Sequence, residues 1–133
     1  MAKRILIIDD EQLLLDLLTH LLSKIGYEVD RASDSREAAG KLKDQEYDAI
    51  FLDMKMPLMS GREFYSKLEE RFPDIARRVV FITGDVANPE TRAFLQETGH
   101  LYLQKPFTIK EVKTLLDQFF RTETSSDASD IPQ

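Results

Sequence analysis

Ala49-Ile50-Phe51-Leu52-Asp53, together with Ile5-Leu6-Ile7-Ile8-Asp9-Asp10 nearer the start, decides the fold. Each is a short, continuous apolar run closed by acid. Runs of this length, rich in Ile, read as strands buried on both faces, the habit of a parallel sheet. In an open α/β sheet, chemistry collects outside the carboxyl ends of the strands. Asp9, Asp10 and Asp53 therefore converge on one edge. Three carboxylates so placed repel one another and stay together only if a hard cation or protons neutralise them. The cluster is a candidate Mg²⁺ site.

Helical patterns flank these runs. Glu11 to Lys24 carries Leu14, Leu17, Leu18, Leu21 and Leu22 at helical spacing and stops near Gly26. Glu28 to Ala32 is a short alternating strand with Val29 inward. Asp34 with Glu37, Ser60 with Glu63, and Thr108 with Glu111 are capping-box pairs, opening helices to about Asp44, Arg71 and Phe120. Phe72-Pro73-Asp74 breaks the second of these. Asn88-Pro89-Glu90 starts another helix with a capping side chain, a proline at the first helical position and an acid near the dipole; Gly99 stops it. Val79 to Thr83 and Leu101 to Gln104 complete the strands, with Ala49 to Asp53 central. Five strands alternating with five helices predict an α/β fold, a parallel sheet covered on both faces. Residues 122–133, small and polar, read as a disordered tail or the stub of a linker.

The length of 133 residues suits one domain with its own core. There is no cysteine, which excludes disulfides, a thiol nucleophile and thiolate metal sites. The only histidines are His20 and His100, too few for a histidine-rich metal site; one reads as a surface residue and the other as a loop residue. A net charge of −6 argues against direct nucleic-acid binding. No apolar run reaches the length of a membrane span, and Met1-Ala2-Lys3-Arg4 leads straight into a strand, so a cytoplasmic protein is expected.

Thr83 and Lys105 join the three acids at or just beyond strand ends. Carboxylates supply oxygen ligands for Mg²⁺, and a carboxylate can itself be the nucleophile that forms an aspartyl-phosphate. A hydroxyl and an ammonium then bind phosphoryl oxygens as charge develops. The set is a kit for accepting a phosphoryl group.

The chain resembles the receiver domains of two-component response regulators. The resemblance rests on Asp9-Asp10 after the first strand and on Asp53-Met54-Lys55-Met56-Pro57-Leu58-Met59-Ser60-Gly61, which matches a D-x-x-M-P-x-M-x-G pattern. It also rests on Thr83 after the fourth strand and on Tyr102-Leu103-Gln104-Lys105-Pro106-Phe107, and it covers residues 3–121. It implies a doubly wound, flavodoxin-like sheet of order 2-1-3-4-5. Asp53 would accept a phosphoryl group from a histidine kinase or a phosphotransfer protein. Asp10 and Asp53 would bind Mg²⁺ directly, Asp9 through water, and Lys55 through its backbone carbonyl. Lys105 would pair with Asp53 and then with the phosphate. Thr83 would hydrogen-bond the phosphate, and Tyr102 would change rotamer in response. The Lys105-Pro106 bond would be cis. The changed surface would lie near residues 86–121, meet an unknown output partner, and permit homodimerisation through the fourth helix, fifth strand and fifth helix. The Phe81-Ile82-Thr83-Gly84-Asp85 run and the short turn at Gly99 are similar to receivers attached to hybrid histidine kinases. Lys55, paired with Asp85 or leaning on the phosphate, would slow hydrolysis.

Other readings fit less well. A phosphatase of the haloacid-dehalogenase type needs a second acid two residues after the nucleophile, where this chain has Lys55. A flavodoxin-like nucleotide binder needs a small-residue loop after the first strand, where Asp9-Asp10-Glu11 would repel phosphate. A receiver acting only as an interaction module would not need the complete acceptor set. The expected activity is a switch that catalyses only its own phosphorylation and dephosphorylation, not an enzyme acting on other substrates.

Overall fold

The structure, a computed structural model, describes residues 2–129, with side chains described for residues 2–121. Its strands are β1 (Arg4–Ile8), β2 (Glu28–Ala32), β3 (Ala49–Asp53), β4 (Val79–Thr83) and β5 (Tyr102–Gln104). All pair in parallel, in the order β2-β1-β3-β4-β5. The expected doubly wound topology is therefore the one observed, with β3 at the centre. Every residue of β3 and β4 is buried, which is why both read as unbroken apolar runs.

The helices are α1 (Gln12–Lys24), α2 (Ser35–Asp44), α3 (Gly61–Arg71), α4 (Pro73–Ala76), α5 (Pro89–Thr98) and α6 (Ile109–Ser129). Side chains alternate across the sheet and divide the core in two. Leu6, Ile8, Ile50, Leu52 and Phe81 face the layer of α2, α3 and α5. Ile5, Ile7, Phe51, Val80 and Ile82 face α1 and α6, where Leu18, Leu22, Val112 and Leu116 meet them. Each fully buried Ile or Phe contributes about 1.5–3 kcal/mol relative to exposure.

The helix starts are built as the capping pairs predict. Asp34, Ser60 and Thr108 accept hydrogen bonds from the backbone N–H of Glu37, Glu63 and Glu111 at 2.8, 3.1 and 3.1 Å. Asn88 Oδ1 accepts from Glu90 N at 2.8 Å, and Gly99 ends α5 at φ +70°. Three details differ from expectation. Pro73 does not simply break the chain; it sits at the first position of the one-turn α4, where a proline needs no N–H partner. The buried stripe of α1 is Leu15, Leu18 and Leu22, while Leu17 is 54% exposed. α6 continues past Phe120 to Ser129, so the segment expected to be a disordered tail or linker stub from residue 122 onward is helical that far; no proline or glycine interrupts it before Pro132. Residues 130–133 of that segment lie outside the described residues.

Candidate functional site

The register brings the carboxyl ends of β1, β3 and β4 to one edge. Ile8 pairs with Leu52, and Asp53 with Ile82, so Asp9 and Asp53 emerge side by side. Asp9 is fully buried and Asp53 is 5% exposed, whereas Asp10 faces solvent. One carboxylate oxygen from each of the three lies within 4.8 Å of the others. Asp10 and Asp53 border a pocket of about 470 Å³ whose walls also include Glu11, Lys55, Thr83, Gly84 and Lys105.

Backbone donors orient the acids. Glu11 N–H donates to Asp9 Oδ1 at 3.0 Å, and Lys55 N–H to Asp53 Oδ1 at 3.2 Å. Asp9 Oδ2 is buried and faces the Lys105 ammonium as an ion pair at 3.0 Å. That ammonium lies 2.5 Å from Glu11 Oε1 and 3.6 Å from Asp53 Oδ2. Lys105 thus does reach Asp53, but its shorter contacts are to Glu11 and Asp9. Glu11 was not anticipated as part of the site. It occupies the cap position of α1 yet makes no side-chain cap bond, which leaves its carboxylate to reach across 94 positions of sequence. No local pattern encodes that contact.

Burial, reinforced by the Asp9 charge, pushes the Asp53 carboxyl up to about 7 against the opposing pull of the Lys55 amide and the Lys105 ammonium. Burial by itself would lower Lys105. The hydrogen bonds to Glu11 and Asp9, with the charges of Asp53 and Asp9, outweigh it and hold the ammonium above the ordinary lysine value. A set of three carboxylates, two of them buried, with one oxygen from each within 4.8 Å of the others, fits a hard divalent cation.

Thr83 is 2% exposed, and its Oγ1 accepts from Asp85 N–H at 3.1 Å, leaving the hydroxyl proton free for an acceptor in the pocket. Lys105 N–H donates to Thr83 O at 2.8 Å, which fixes the end of β5 beside β4. The Lys105-Pro106 bond is cis, as expected. Tyr102 is 46% exposed and lies outside the pocket walls. Lys55 is exposed and makes no ion pair with Asp85 among the described residues, so the expected pairing is not formed.

The loop after β3 is held by a close approach. A Cβ at Gly61 would lie 2.1 Å from the Asp53 carbonyl oxygen and 2.9 Å from Met54 Cα, so only glycine fits. Gly61 N–H donates to Met54 O at 3.0 Å. At Gly84, on the opposite flank of the pocket, an added Cβ meets only Lys105 Cβ, at 3.9 Å. His20 is exposed, as expected. His100 is not a plain loop residue: its Nδ1 lies 2.7 Å from Val79 O and its Nε2 3.0 Å from the Tyr65 hydroxyl.

A doubly wound sheet with an acid pair after β1, an acid ending β3, a hydroxyl ending β4 and a lysine after β5 defines a class of signalling domain. The sequence profile of the response regulator receiver domain matches residues 5–117, and the chain belongs to that family, which serves two-component signalling. It is 31% identical over 129 residues to the response regulator MprA of Mycolicibacterium vanbaalenii, covering 97% of this chain and 55% of that protein. It is 30% identical over 135 residues to the alkaline phosphatase synthesis transcriptional regulatory protein PhoP of Bacillus subtilis, covering 98% of this chain and 54% of that protein. The chain thus spans just over half the length of these relatives. Among solved structures, a receiver domain protein of Methanospirillum hungatei superposes with a TM-score of 0.81 at 28% identity, over 94% of this chain and 99% of that one. The response regulator TrrA of Thermotoga maritima, in complex with Mg²⁺-BeF, superposes with a TM-score of 0.74 at 31% identity, over 88% of this chain and 98% of that one.

Proposed function

We propose that this chain, over residues 3–121, is a phosphorylation-operated switch with Asp53 as the acceptor. The observation that carries the reading is the buried Asp53 carboxylate, held beside Asp9 and within 3.6 Å of the Lys105 ammonium at the wall of an open pocket. An Asp53 oxygen attacks the phosphorus of a phosphohistidine. A P–O bond forms, the P–N bond breaks, and the electron pair leaves on the imidazole nitrogen. Asp9, Asp10, Asp53 and the Lys55 carbonyl would hold Mg²⁺. Bound there, it would supply positive charge to offset that of the phosphoryl group. Lys105 moves from Glu11 toward a phosphoryl oxygen, and Thr83 donates its hydroxyl proton to another. Tyr102, outward here, turns inward as Thr83 moves. The altered surface is that of α5, β5 and α6, which meets the output partner or a second copy.

The donor is a histidine kinase or a phosphotransfer protein. Leu13 and Leu17, 86% and 54% exposed on α1 next to the pocket, offer it an apolar landing surface. On this reading the domain lies in the cytoplasm with its donor; no helix among the described residues is long and apolar enough to cross a membrane. The acidic balance favours a domain that does not itself bind nucleic acid, even though relatives such as PhoP are transcriptional regulators. Lys55, at the pocket wall, is placed to shield the phosphate from water.

Incubation with acetyl phosphate or phosphoramidate and Mg²⁺, followed by intact mass, tests the reading. One phosphate adduct is expected, absent in Asp53→Asn and decaying faster in Lys55→Ala. No adduct on the wild-type chain would leave an interaction module; turnover of a phosphorylated small molecule would make it a phosphatase.

A further inference from the structure

Away from the acidic edge, α2 and α3 enclose a groove of about 690 Å³. Its floor is apolar, made by Leu42, Met59, Phe64, Leu68 and Ile75, and Phe72 stands at its border 55% exposed. Arg36 and Lys43 line one wall, on α2, and Lys67 and Arg71 the other, on α3. All four cations are exposed, and none makes an ion pair among the described residues. No carboxylate is among the described residues that line the groove, in a chain whose net charge is −6. Single exposed lysines on helices are ordinary solvated residues. Four unpaired cations framing an apolar trough in an acidic protein are a local reversal of sign.

We propose that this groove docks an amphipathic helix of a protein partner, one with an apolar stripe flanked on both sides by carboxylates. The walls run from residue 36 to 43 and from residue 64 to 71, two turns each. That is about 12 Å, the span of anchors at i, i+3 or i+4, and i+7. Because cations stand on both walls, the complementary helix needs acids on both borders of its stripe; these set orientation and encounter rate while the floor supplies burial. A nucleic acid would satisfy the cations but leave the apolar floor and Phe72 against a charged backbone. The groove shares no residue with the Asp53 pocket, so it is a second surface, independent of phosphoryl transfer.

The test uses the full chain, isotope-labelled, and a synthetic helix-forming peptide with Leu or Phe at i, i+4 and i+7 and Glu on both flanks. Expected are amide shifts confined to α2, α3 and α4, affinity that falls as salt rises, and at least tenfold weaker binding to Lys67→Glu/Arg71→Glu. The variant should still form the Asp53 adduct, which shows that it folds. Equal binding of a peptide with Lys in place of Glu, shifts centred on α1 or α5, or unchanged affinity for the variant would overturn the proposal. Displacement of the peptide by a single-stranded oligonucleotide would reassign the groove to nucleic acid. Self-association that disappears in the variant would reassign it to a second copy of this chain.

Discussion

Asp53 is held in a conflict that its neighbours set. Its carboxyl is buried beside Asp9, which lifts it to about 7, while the unfolded chain ionises it near 3.8. Below pH 4 both states carry the proton and nothing is gained or lost. Between pH 4 and 7 the unfolded state sheds the proton first, so stability drains away as pH rises; above 7 the whole penalty is in place. Asp53→Asn removes it. In EDTA at pH 8 the variant is expected to be more stable by about 1–2 kcal/mol, after allowing for solvent screening at the pocket mouth, and the gain should shrink toward zero near pH 4. Urea unfolding across that range checks it, and a gain independent of pH would contradict it.

Between elements, the tie of α3 to the sheet runs through Tyr65. Its hydroxyl lies 2.9 Å from Glu69 and 3.0 Å from His100 Nε2, and its ring packs edge-on against Phe81 and Phe94. Burial, then the hydrogen bond to Glu69, pushes the phenol up to about 12. Val79 O can only accept, so His100 Nδ1 carries a proton. Tyr65→Phe keeps the ring and removes the contacts to exposed Glu69 and half-buried His100; a loss of about 1 kcal/mol is expected in urea unfolding, and no loss would mean that the hydroxyl is idle. This junction also marks where sequence stopped being informative. The strands were legible because apolar runs bounded by acid have few other readings, and the helix starts because a cap and its N–H partner are three residues apart. The members of the candidate site were legible because each ends a strand or closely follows one. His100 and Glu11 were not, since each acts on a residue many positions away. The inward face of α1 was legible only in part: Leu18 and Leu22 are buried and Leu14 packs on the core, but Leu15 belongs to the stripe and Leu17 does not, because leucines surround that helix on nearly every side and blur its phase.

Across the whole molecule, the proposed Mg²⁺ site would link folding to metal. An ion that binds only the folded chain stabilises it by RT ln(1 + [L]/Kd), about 1.4 kcal/mol at ten times Kd, or several degrees in Tm for a chain of this size. Mg²⁺ is expected to raise Tm to this extent, with EDTA reversing the effect, and to do nothing for Asp10→Asn/Asp53→Asn. An equal rise in the double variant would place the ion elsewhere. The two glycines flanking the acidic edge are unequally crowded. At Gly61 the backbone of α3 is in hard contact with the Asp53 carbonyl, 2.1 Å from where a Cβ would be, while at Gly84 the nearest neighbour is 3.9 Å away. The end of β3 is thus walled in on the α3 side and has room on the β4–α5 side. Were Asp53 phosphorylated as proposed, the pocket would act as a one-sided spring, with the space for displacement lying toward α5 and β5.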